Sequence, residues 1–291
     1  MNKNLDRRIH PIAEADGLSP KKLVTNIWVS MIKVDNIYNM DCLEGMRQME
    51  PESVDLTVTS PPYDNLRTYN GYCFDFENIA RELYRVTKQG GVVVWVVGDA
   101  TIDGDETGTS FKQALYFKEC GFLLHDTMIF HKEIPTWNQT SMRYRQHFEY
   151  MFVFSKGKPK TFNPIRDVKV HNMQPRKCKS NRTGEARYDM YVPKNEYTVR
   201  GNIWKYAVGS NSATDKIAFE HPAIFPEALV ADHIRSWSNE GDIVLDSFMG
   251  SGTTAKVART LGRHYIGFEI SAVYCDIIRK RLEQTKSLFD L

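Results

Sequence analysis

The chain has 291 residues, of which 42% are hydrophobic, and its formal net charge is only +2. This length suffices for one domain with a full core, and the five cysteines show no paired or metal-ligand spacing, so disulfide scaffolds and zinc sites are excluded and a reduced, cytoplasmic setting is predicted. No apolar run reaches the roughly 20 residues that span a bilayer, and the first ten residues are polar, which predicts neither a membrane span nor a signal peptide.

Strands and short helices alternate from about residue 31 onward, which is the pattern of βα units in an α/β fold. Residues 1–30 lack this periodicity and are predicted to form an N-terminal extension. Residues 31–155 hold the first part of the alternation, including an almost unbroken apolar run typical of a strand buried on both faces. The predicted strands here are 35–39, 53–59, 92–97, 123–131 and 150–155, and the predicted helices are 43–49, 76–87 and 110–120.

Residues 156–205 interrupt the alternation and concentrate positive charge. They hold 13 Lys or Arg against 4 Asp or Glu, a local balance of +9, so the remainder of the chain carries −7. A basic block on an acidic body is typical of proteins that bind a polyanion, and a solvated loop is the plainer interpretation. The segment is therefore predicted to be an insertion, with binding of a polyanion as its candidate role.

Residues 206–291 resume the alternation, with predicted strands at 242–245 and 264–269 and predicted helices at 223–236, 253–261 and 272–284. The first of these strands runs into Asp246-Ser247-Phe248-Met249-Gly250-Ser251-Gly252-Thr253-Thr254, where glycines permit a sharp turn and close approach of a ligand. The helix that follows directs unpaired N–H groups toward that ligand. Glu269 stands 19 residues after Gly250, where a carboxylate accepts hydrogen bonds from ribose hydroxyls in nucleotide-binding folds.

A second signature, Thr59-Ser60-Pro61-Pro62-Tyr63, ends the predicted strand at 53–59. The prolines fix their own φ angles and so hold a rigid corner. Ser60 Oγ and the carbonyl of Pro61 are acceptors for the two hydrogens of an exocyclic amine, and the Tyr63 ring can stack on a base. A Ser-Pro-Pro turn without further context can also be a plain loop, which is the less favoured interpretation.

In this order the two signatures resemble those of the S-adenosylmethionine-dependent DNA amino-methyltransferases of the circularly permuted (β) group. The resemblance runs from about residue 32 to about residue 282. It implies an α/β fold with a doubly wound, mostly parallel, seven-stranded Rossmann-like sheet. It also implies a catalytic half at 31–155, an inserted target-recognition region at 156–205 and a cofactor-binding half at 206–291.

The resemblance implies a binding site for S-adenosylmethionine and no metal. Asp41 and Cys42 match the segment beside the adenine, where Asp41 is equally a helix N-cap. His221 and Pro226 match the segment that closes over the methionine end, and Ser247 replaces the usual proline of the family. The expected cofactor-binding residues are Asp41, Cys42, Thr59, His221, Pro226, Asp246, Phe248, Met249, Gly250, Ser251, Gly252, Thr253, Thr254 and Glu269.

The implied catalytic residues are Ser60, Pro61, Pro62 and Tyr63, acting on a base that has left the duplex. Serine at the first position of the corner favours the N4 amine of cytosine, because a hydroxyl suffices for this more polarised amine. The alternative is the N6 amine of adenine, for which the family more often has aspartate. C5 methylation of cytosine is excluded, because none of the five cysteines follows a proline as its nucleophile typically does.

Double-stranded DNA is the partner that the resemblance and the basic insertion imply together. A homodimer and a separate restriction endonuclease stay open as protein partners, and a bacterial or phage-encoded, nucleoid-associated protein is implied. RNA bases, protein glutamine and an inactive DNA-binding module are weaker alternatives, disfavoured by the intact Ser60 and Glu269 and by the basic insertion. The residues expected to contact DNA phosphates are Arg143, Arg145, Arg166, Lys169, Arg176, Lys177, Lys179, Arg182 and Arg187.

Overall fold

The computed structural model describes residues 32–62, 74–134, 142–171, 173–180, 187–192 and 194–285, so the predicted extension 1–30 lies outside it. Within these ranges the helices are α1 (Cys42–Arg47), α2 (Phe76–Val86), α3 (Thr109–Glu119), α4 (Glu227–Trp237), α5 (Thr253–Thr260) and α6 (Ala272–Glu283). The strands are β1 (Asn36–Tyr38), β2 (Val54–Thr59), β3 (Thr87–Val97), β4 (Thr101–Ile102), β5 (Asp105–Glu106), β6 (Leu123–Lys132), β7 (Phe148–Ser155), β8 (Arg166–Lys169), β9 (Arg176–Ser180), β10 (Arg187–Tyr191), β11 (Tyr197–Val199), β12 (Ile203–Tyr206), β13 (Ile243–Asp246) and β14 (His264–Phe268). None of these helices is both long and apolar enough to cross a membrane.

Eight of the described strands form one sheet in the order β1-β14-β13-β2-β3-β7-β6-β12. Neighbours are parallel throughout, except that β7 runs antiparallel to both β3 and β6. Helices cover both faces of this sheet, as the alternation along β3 illustrates. The even-numbered residues of Val92–Val97 pack into one core with α4, α5 and α6, and the odd-numbered residues pack into the other with α1, α2 and α3. The predicted doubly wound, mostly parallel α/β fold is confirmed.

The sheet has one strand more than the seven predicted. The additional strand, β12, pairs in parallel with β6, so that Ile203 lies opposite Ile129 and Tyr206 opposite Lys132. It is only four residues long and alternates between exposed and buried side chains. Such a short, half-polar strand does not stand out from the basic sequence around it, and it crosses the predicted boundary between residues 205 and 206.

The rest of the predicted insertion forms two small antiparallel pairs, β8 with β11 and β9 with β10, and neither pair joins the main sheet. The four residues of β8 are all exposed. The residues of β11 are exposed as well, so β8 and β11 carry no buried face that a hydrophobic pattern could have revealed.

The carboxyl ends of the parallel strands meet at one edge of the sheet. There β2 ends at Thr59 and its neighbour β13 ends at Asp246, while β14, next to β13, ends at Phe268. From β2 the chain continues to β3 on one side of the sheet, and from β13 it continues to β14 on the other side. The strand order therefore reverses between β13 and β2, and α/β sheets bind ligands at such switch points. The sheet order thus brings both sequence signatures to one crevice.

Candidate active site

A cavity of about 1010 Å³ opens at this edge, at the upper end of the roughly 300–1,000 Å³ typical of ligand pockets. Ser60, Pro61 and Pro62 of the proline corner line it, and Tyr63 lies outside the described residues. The expected cofactor-binding residues on the same wall are Asp41, Cys42, His221, Pro226, Asp246, Phe248, Met249, Gly250, Ser251, Thr253 and Glu269. The other three, Thr59, Gly252 and Thr254, do not line the cavity and lie behind its wall.

A buried hydrogen bond joins the two signatures. Thr59 Oγ1 donates to Oδ1 of Asp246 over 2.6 Å, between residues 187 positions apart. The same carboxylate oxygen accepts the N–H of Phe248 at 3.0 Å, at the point where the chain turns into the glycine-rich loop. Burial raises the pKa of Asp246, and hydrogen bonds from Thr254, Thr59 and Phe248 act in the opposite direction.

The glycine-rich loop needs glycine at two positions for different reasons. Gly250 has a φ of +53°, and a Cβ there would lie 3.3 Å from Nε2 of His221. Gly252 has a φ of +81°, and its Cβ would meet Cγ2 of Ile278 at 2.6 Å. The loop therefore packs between the His221 side chain and Ile278 of α6, with no space for a Cβ at Gly252. Helix α5 begins directly after the loop.

Glu269 anchors the loop from the next strand. Its Oε2 accepts the N–H of Gly250 and its Oε1 accepts the N–H of Ser271, both at 2.8 Å. Burial raises the pKa of Glu269, while these backbone hydrogen bonds lower it. Each carboxylate oxygen has a second lone pair, so the group can still accept hydrogen bonds from a ligand in the cavity.

Asp41 combines the two roles that the sequence leaves open. Its Oδ1 accepts the N–H groups of Leu43 and Glu44 at 2.9 and 3.1 Å and so caps α1. A carboxylate offers about four acceptor sites, so capping leaves capacity for a donor in the cavity. Cys42, which follows it, is buried and lines the same wall.

An ion pair between Lys132 and Glu149, whose pairing the sequence did not predict, also lines the cavity. Lys132 at the end of β6 and Glu149 near the start of β7 approach to 2.6 Å, and each side chain is only 17% exposed. Phe130 lines the cavity beside them. In the sequence, residues 130–132 and Trp137 resemble the family segment expected to line the target base, and a core aromatic or a solvated charge is an equal alternative; Trp137 lies outside the described residues. Glu149 alternates with Arg143, Arg145 and His147 in the sequence, a pattern that predicts one shared face of an extended stretch and fits either phosphate contact or a surface ion pair.

The segment between β12 and α4, residues 208–226, forms what we call the outer wall of the cavity. It contains two 3₁₀ turns, Gly209–Asn211 and Ile217–Glu220, and contributes Phe219 and His221 to the lining. The His221 ring lies 4.3 Å from that of Tyr274, between ring centroids, and its Nδ1 is within 2.8 Å of the carbonyl of Ala223. The resemblance identified residues 221–222 and 225–226 of this segment, and it did not identify Phe219 or the 3₁₀ turns.

None of the expected DNA-contacting residues that the structure describes lines the cavity. Arg143, Arg145, Arg166 and Lys169 are exposed, although Arg143 lies 3.5 Å from Glu106. The backbones of β9 and β10 carry Arg176, Lys177, Lys179 and Arg187. Arg182 lies outside the described residues. Their contact with DNA stays a prediction.

Comparison with known sequences connects this geometry to a family. A family model described as DNA methylase matches residues 54–280, which include both signatures and Glu269. The orphan methyltransferase M.BamHII of Bacillus amyloliquefaciens is 59% identical over 237 residues, covering 79% of this chain and 89% of the relative. The type II methyltransferase M.BglII of Bacillus subtilis is 30% identical over 254 residues, covering 84% of this chain and 68% of the relative.

Solved structures share the fold. PvuII DNA methyltransferase, described as cytosine-N4-specific, matches with a TM-score of 0.64 at 22% identity, covering 84% of this chain and 85% of that protein. The M1.HpyAVI–SAM complex matches with a TM-score of 0.58 at 27% identity, covering 85% of this chain and 98% of that protein. With most of its length matched by the family model and by these relatives, the chain belongs to the DNA methylase family of N6 and N4 amino-methyltransferases.

Proposed function

We propose that this DNA methyltransferase transfers a methyl group from S-adenosylmethionine to the exocyclic N4 amine of a flipped-out cytosine in double-stranded DNA. The observation that carries the proposal is that Ser60 and Glu269 line one cavity. The hydrogen bond from Thr59 to Asp246 joins β2 to β13, the strand that lies between β2 and β14. In this proposal residues 31–155 are the catalytic half, residues 206–291 bind the cofactor and residues 156–205 recognise DNA.

The residues around Glu269 fit S-adenosylmethionine, which supplies an electrophilic methyl group on a sulfonium when bound. Glu269 has lone pairs for the ribose hydroxyls, and Asp41 has them for the adenine amine. The N–H groups of the loop and of the first turn of α5 favour the methionine carboxylate. Ser247 also lines the cavity.

The proline corner supplies the acceptors that an unreactive amine needs. The lone pair of the cytosine amine is delocalised into the ring, so the nitrogen must be pyramidalised before it attacks a methyl group. In the proposal, Ser60 Oγ and the carbonyl of Pro61 accept the two amine hydrogens, and Tyr63 stacks on the base. The amine nitrogen would take the methyl group directly from the sulfonium without a covalent intermediate on the protein, and the carbon–sulfur bond would break to leave S-adenosylhomocysteine. The methylated nitrogen would then lose a proton to solvent, and positioning supplies most of the rate enhancement.

Two features favour cytosine over adenine. Ser60 is a neutral acceptor, which suffices for the more polarised cytosine amine. Lys132, held by Glu149 at 2.6 Å on the cavity wall, is a donor with up to three hydrogens. Beside its amine, cytosine presents two acceptors in a row, the ring N3 and the O2 carbonyl. Adenine presents N1 followed by a C–H, so a lysine ammonium has more to bind on cytosine.

The test of the proposal is the identity of the methylated nucleoside. The purified chain is incubated with isotope-labelled S-adenosylmethionine and mixed-sequence double-stranded DNA, which is then digested to nucleosides and analysed by mass spectrometry. We expect N4-methylcytosine, and a Ser60→Ala variant serves as the control for contaminating activity. N6-methyladenine alone would assign the alternative base, and C5-methylcytosine would contradict the mechanism.

No partner endonuclease is required for this activity in the proposal. The M.BamHII relative, at 59% identity, is described as an orphan methyltransferase. Methylation by the purified chain alone in the same assay is therefore the expected result, and dependence on a second protein would contradict it.

A further inference from the structure

The guanidinium of Arg281 on α6 is fully buried and does not line the cavity. Its Nη1 donates to the carbonyl of Ser251 at 2.6 Å, and it lies 3.2 Å from the Ser251 hydroxyl and 3.2 Å from the Thr253 hydroxyl. Ser251 and Thr253 themselves line the cavity. One nitrogen of Arg281 thus holds the glycine-rich loop from behind, on the side away from the ligand.

The other nitrogens of Arg281 bind the outer-wall segment and the first residue of α4. Its Nε lies 3.1 Å from both carboxylate oxygens of Asp215, and its Nη2 donates to Glu227 at 2.8 Å. Asp215 belongs to the outer wall, and Glu227 begins α4 immediately after that wall ends. Arg281 is therefore bonded both to the glycine-rich loop and to the segment that forms the outer wall.

Charge in this cluster is balanced. Lys256 of α5 lies 2.7 Å from Asp215 and 2.7 Å from Glu227, so two cations face two anions. A buried cation that loses its partners is strongly destabilising, so the cluster is stable only as a complete set. The planar guanidinium of arginine carries N–H donors on three nitrogens, which we call its donor fork, and it reaches two carboxylates and a carbonyl at once. A lysine ammonium has a single nitrogen and cannot reproduce these contacts.

We propose that Arg281 is a positioning residue for the methyl donor, because it fixes the glycine-rich loop and the outer wall at one separation. The inference rests on the cofactor assignment of the proposed function and not on the choice of base. Loss of the fork should let the two walls move apart, and the affinity for S-adenosylmethionine should fall while the methyl-transfer step itself changes little.

The experiment compares Arg281→Lys and the double variant Glu227→Gln/Arg281→Met with the unmodified chain. The first keeps the charge and loses the fork, and the second loses the fork but keeps the buried charges balanced. Arg279→Met is the matched control, because Arg279 lies on the same helix in an exposed pair with Asp276 at 2.7 Å. Dissociation constants for S-adenosylmethionine and S-adenosylhomocysteine are measured by calorimetry, and folding is followed by thermal circular dichroism.

Both Arg281 variants are expected to fold and to bind the two ligands at least tenfold more weakly, with a raised KM for the cofactor and a kcat within threefold. Arg279→Met should match the unmodified chain. A double variant with unchanged affinity would overturn the proposal, because Arg281 would then only neutralise Glu227. Failure of both Arg281 variants to unfold cooperatively would overturn it too, since the role would then be stability. If the unmodified chain binds neither ligand, the cofactor assignment fails instead.

Discussion

Ser60 follows β2 directly and lines the cavity, so its hydroxyl is the side-chain acceptor that the proposed chemistry requires. Replacement by alanine removes one of two preorganised partners of the amine. We expect kcat to fall about 100-fold, as for loss of one preorganised hydrogen bond in other active sites, because the interaction strengthens as charge develops. The dissociation constant for S-adenosylmethionine should stay within twofold, since that ligand is bound by other residues. Steady-state kinetics and calorimetry check the two expectations.

The matched control for this prediction is Ser53→Ala. Ser53 immediately precedes the same strand at its other end, where its hydroxyl donates to the carbonyl of Glu50 at 2.8 Å. Its replacement should leave kcat unchanged. A Ser60→Ala variant that keeps more than about a third of the activity would remove Ser60 from the catalytic set.

Glu269 makes cofactor binding sensitive to acid. Burial raises its pKa above the ordinary 4.5, so on acidification the carboxyl takes up a proton at a higher pH than an exposed glutamate does. The protonated form loses acceptor sites for the ribose hydroxyls. Affinity for S-adenosylmethionine should therefore be constant at alkaline pH and fall as pH decreases through the raised pKa. Calorimetry from about pH 8 to about pH 5 measures this dependence.

The Glu269→Gln variant separates Glu269 from other titrating groups. It should bind about tenfold more weakly at neutral pH, because a charge-assisted acceptor is lost. It should also show a nearly flat pH dependence. Asp246 is the other carboxyl of the site whose pKa burial raises, so a dependence that persists in Glu269→Gln and disappears in Asp246→Asn would assign the effect to Asp246.

Among individual residues, the sequence predicted those that stand at strand ends and in turns. It did not predict buried residues such as Arg281, which contact the cavity-lining loop without lining the cavity themselves. Glu269, Asp41 and Ser60 follow predicted strands, where a polar residue has a clear position at the sheet edge. Arg281 looked like one charge among several on α6. It follows Ile277 and Ile278 at helical spacing, so it lies on the buried stripe, but its partners come from segments that no local pattern connects.

Elements with a buried face were predictable, and those without one were not. α2 has Ile79, Leu83 and Val86 at helical spacing, and its predicted bounds differ from the observed ones by one residue. The apolar run 92–97 was predicted as a strand and forms the end of β3, which begins five residues earlier, at Thr87. β12 has only two buried residues, and β8 has none. A strand that is held by its neighbours and buries little surface leaves no periodic pattern in its own sequence.

The two-stranded pair of β9 and β10 is the element on which we expect DNA affinity to depend. Replacing Arg176 and Lys177 on β9 with alanine should weaken DNA binding and reduce its salt dependence. Each lost phosphate contact lowers the slope of log K against log salt by about 0.9, so two contacts give about 1.8. Fluorescence anisotropy with a labelled duplex over a range of salt concentrations measures affinity and slope together.

Exposed lysines on a different element provide the control. Lys112 and Lys118 lie on α3, on the face of the sheet that also carries α1 and α2. Their double alanine variant removes the same charge and should change the slope by much less than the β9 variant. Equal changes in the two variants would mean that net charge, and not β9, determines DNA affinity. An unchanged slope in the β9 variant would exclude this strand from the interface.

The order of the strands in the sheet could be predicted only from the resemblance to the methyltransferase family. Ser60 and Glu269 stand near opposite ends of the described chain, and they meet because β2, β13 and β14 are consecutive in the sheet. Local patterns predict that each residue follows a strand, but strand order is set by packing between distant segments. The order of the two signatures along the chain, through that resemblance, predicted that their strands lie close together in the sheet, which the hydrophobic pattern could not do.

Because both ends of the chain build one cavity, a cofactor analogue should stabilise the molecule as a whole. S-adenosylhomocysteine at 100 times its dissociation constant should add about 2.7 kcal/mol to the free energy of unfolding. Thermal circular dichroism should then show one transition, shifted upward as a unit, and hydrogen exchange should slow both near Ser60 and in the glycine-rich loop. Free adenosine at the same concentration is the control. Two transitions, of which only one shifts, would mean that the two halves unfold separately and that the shared wall contributes little to cofactor binding.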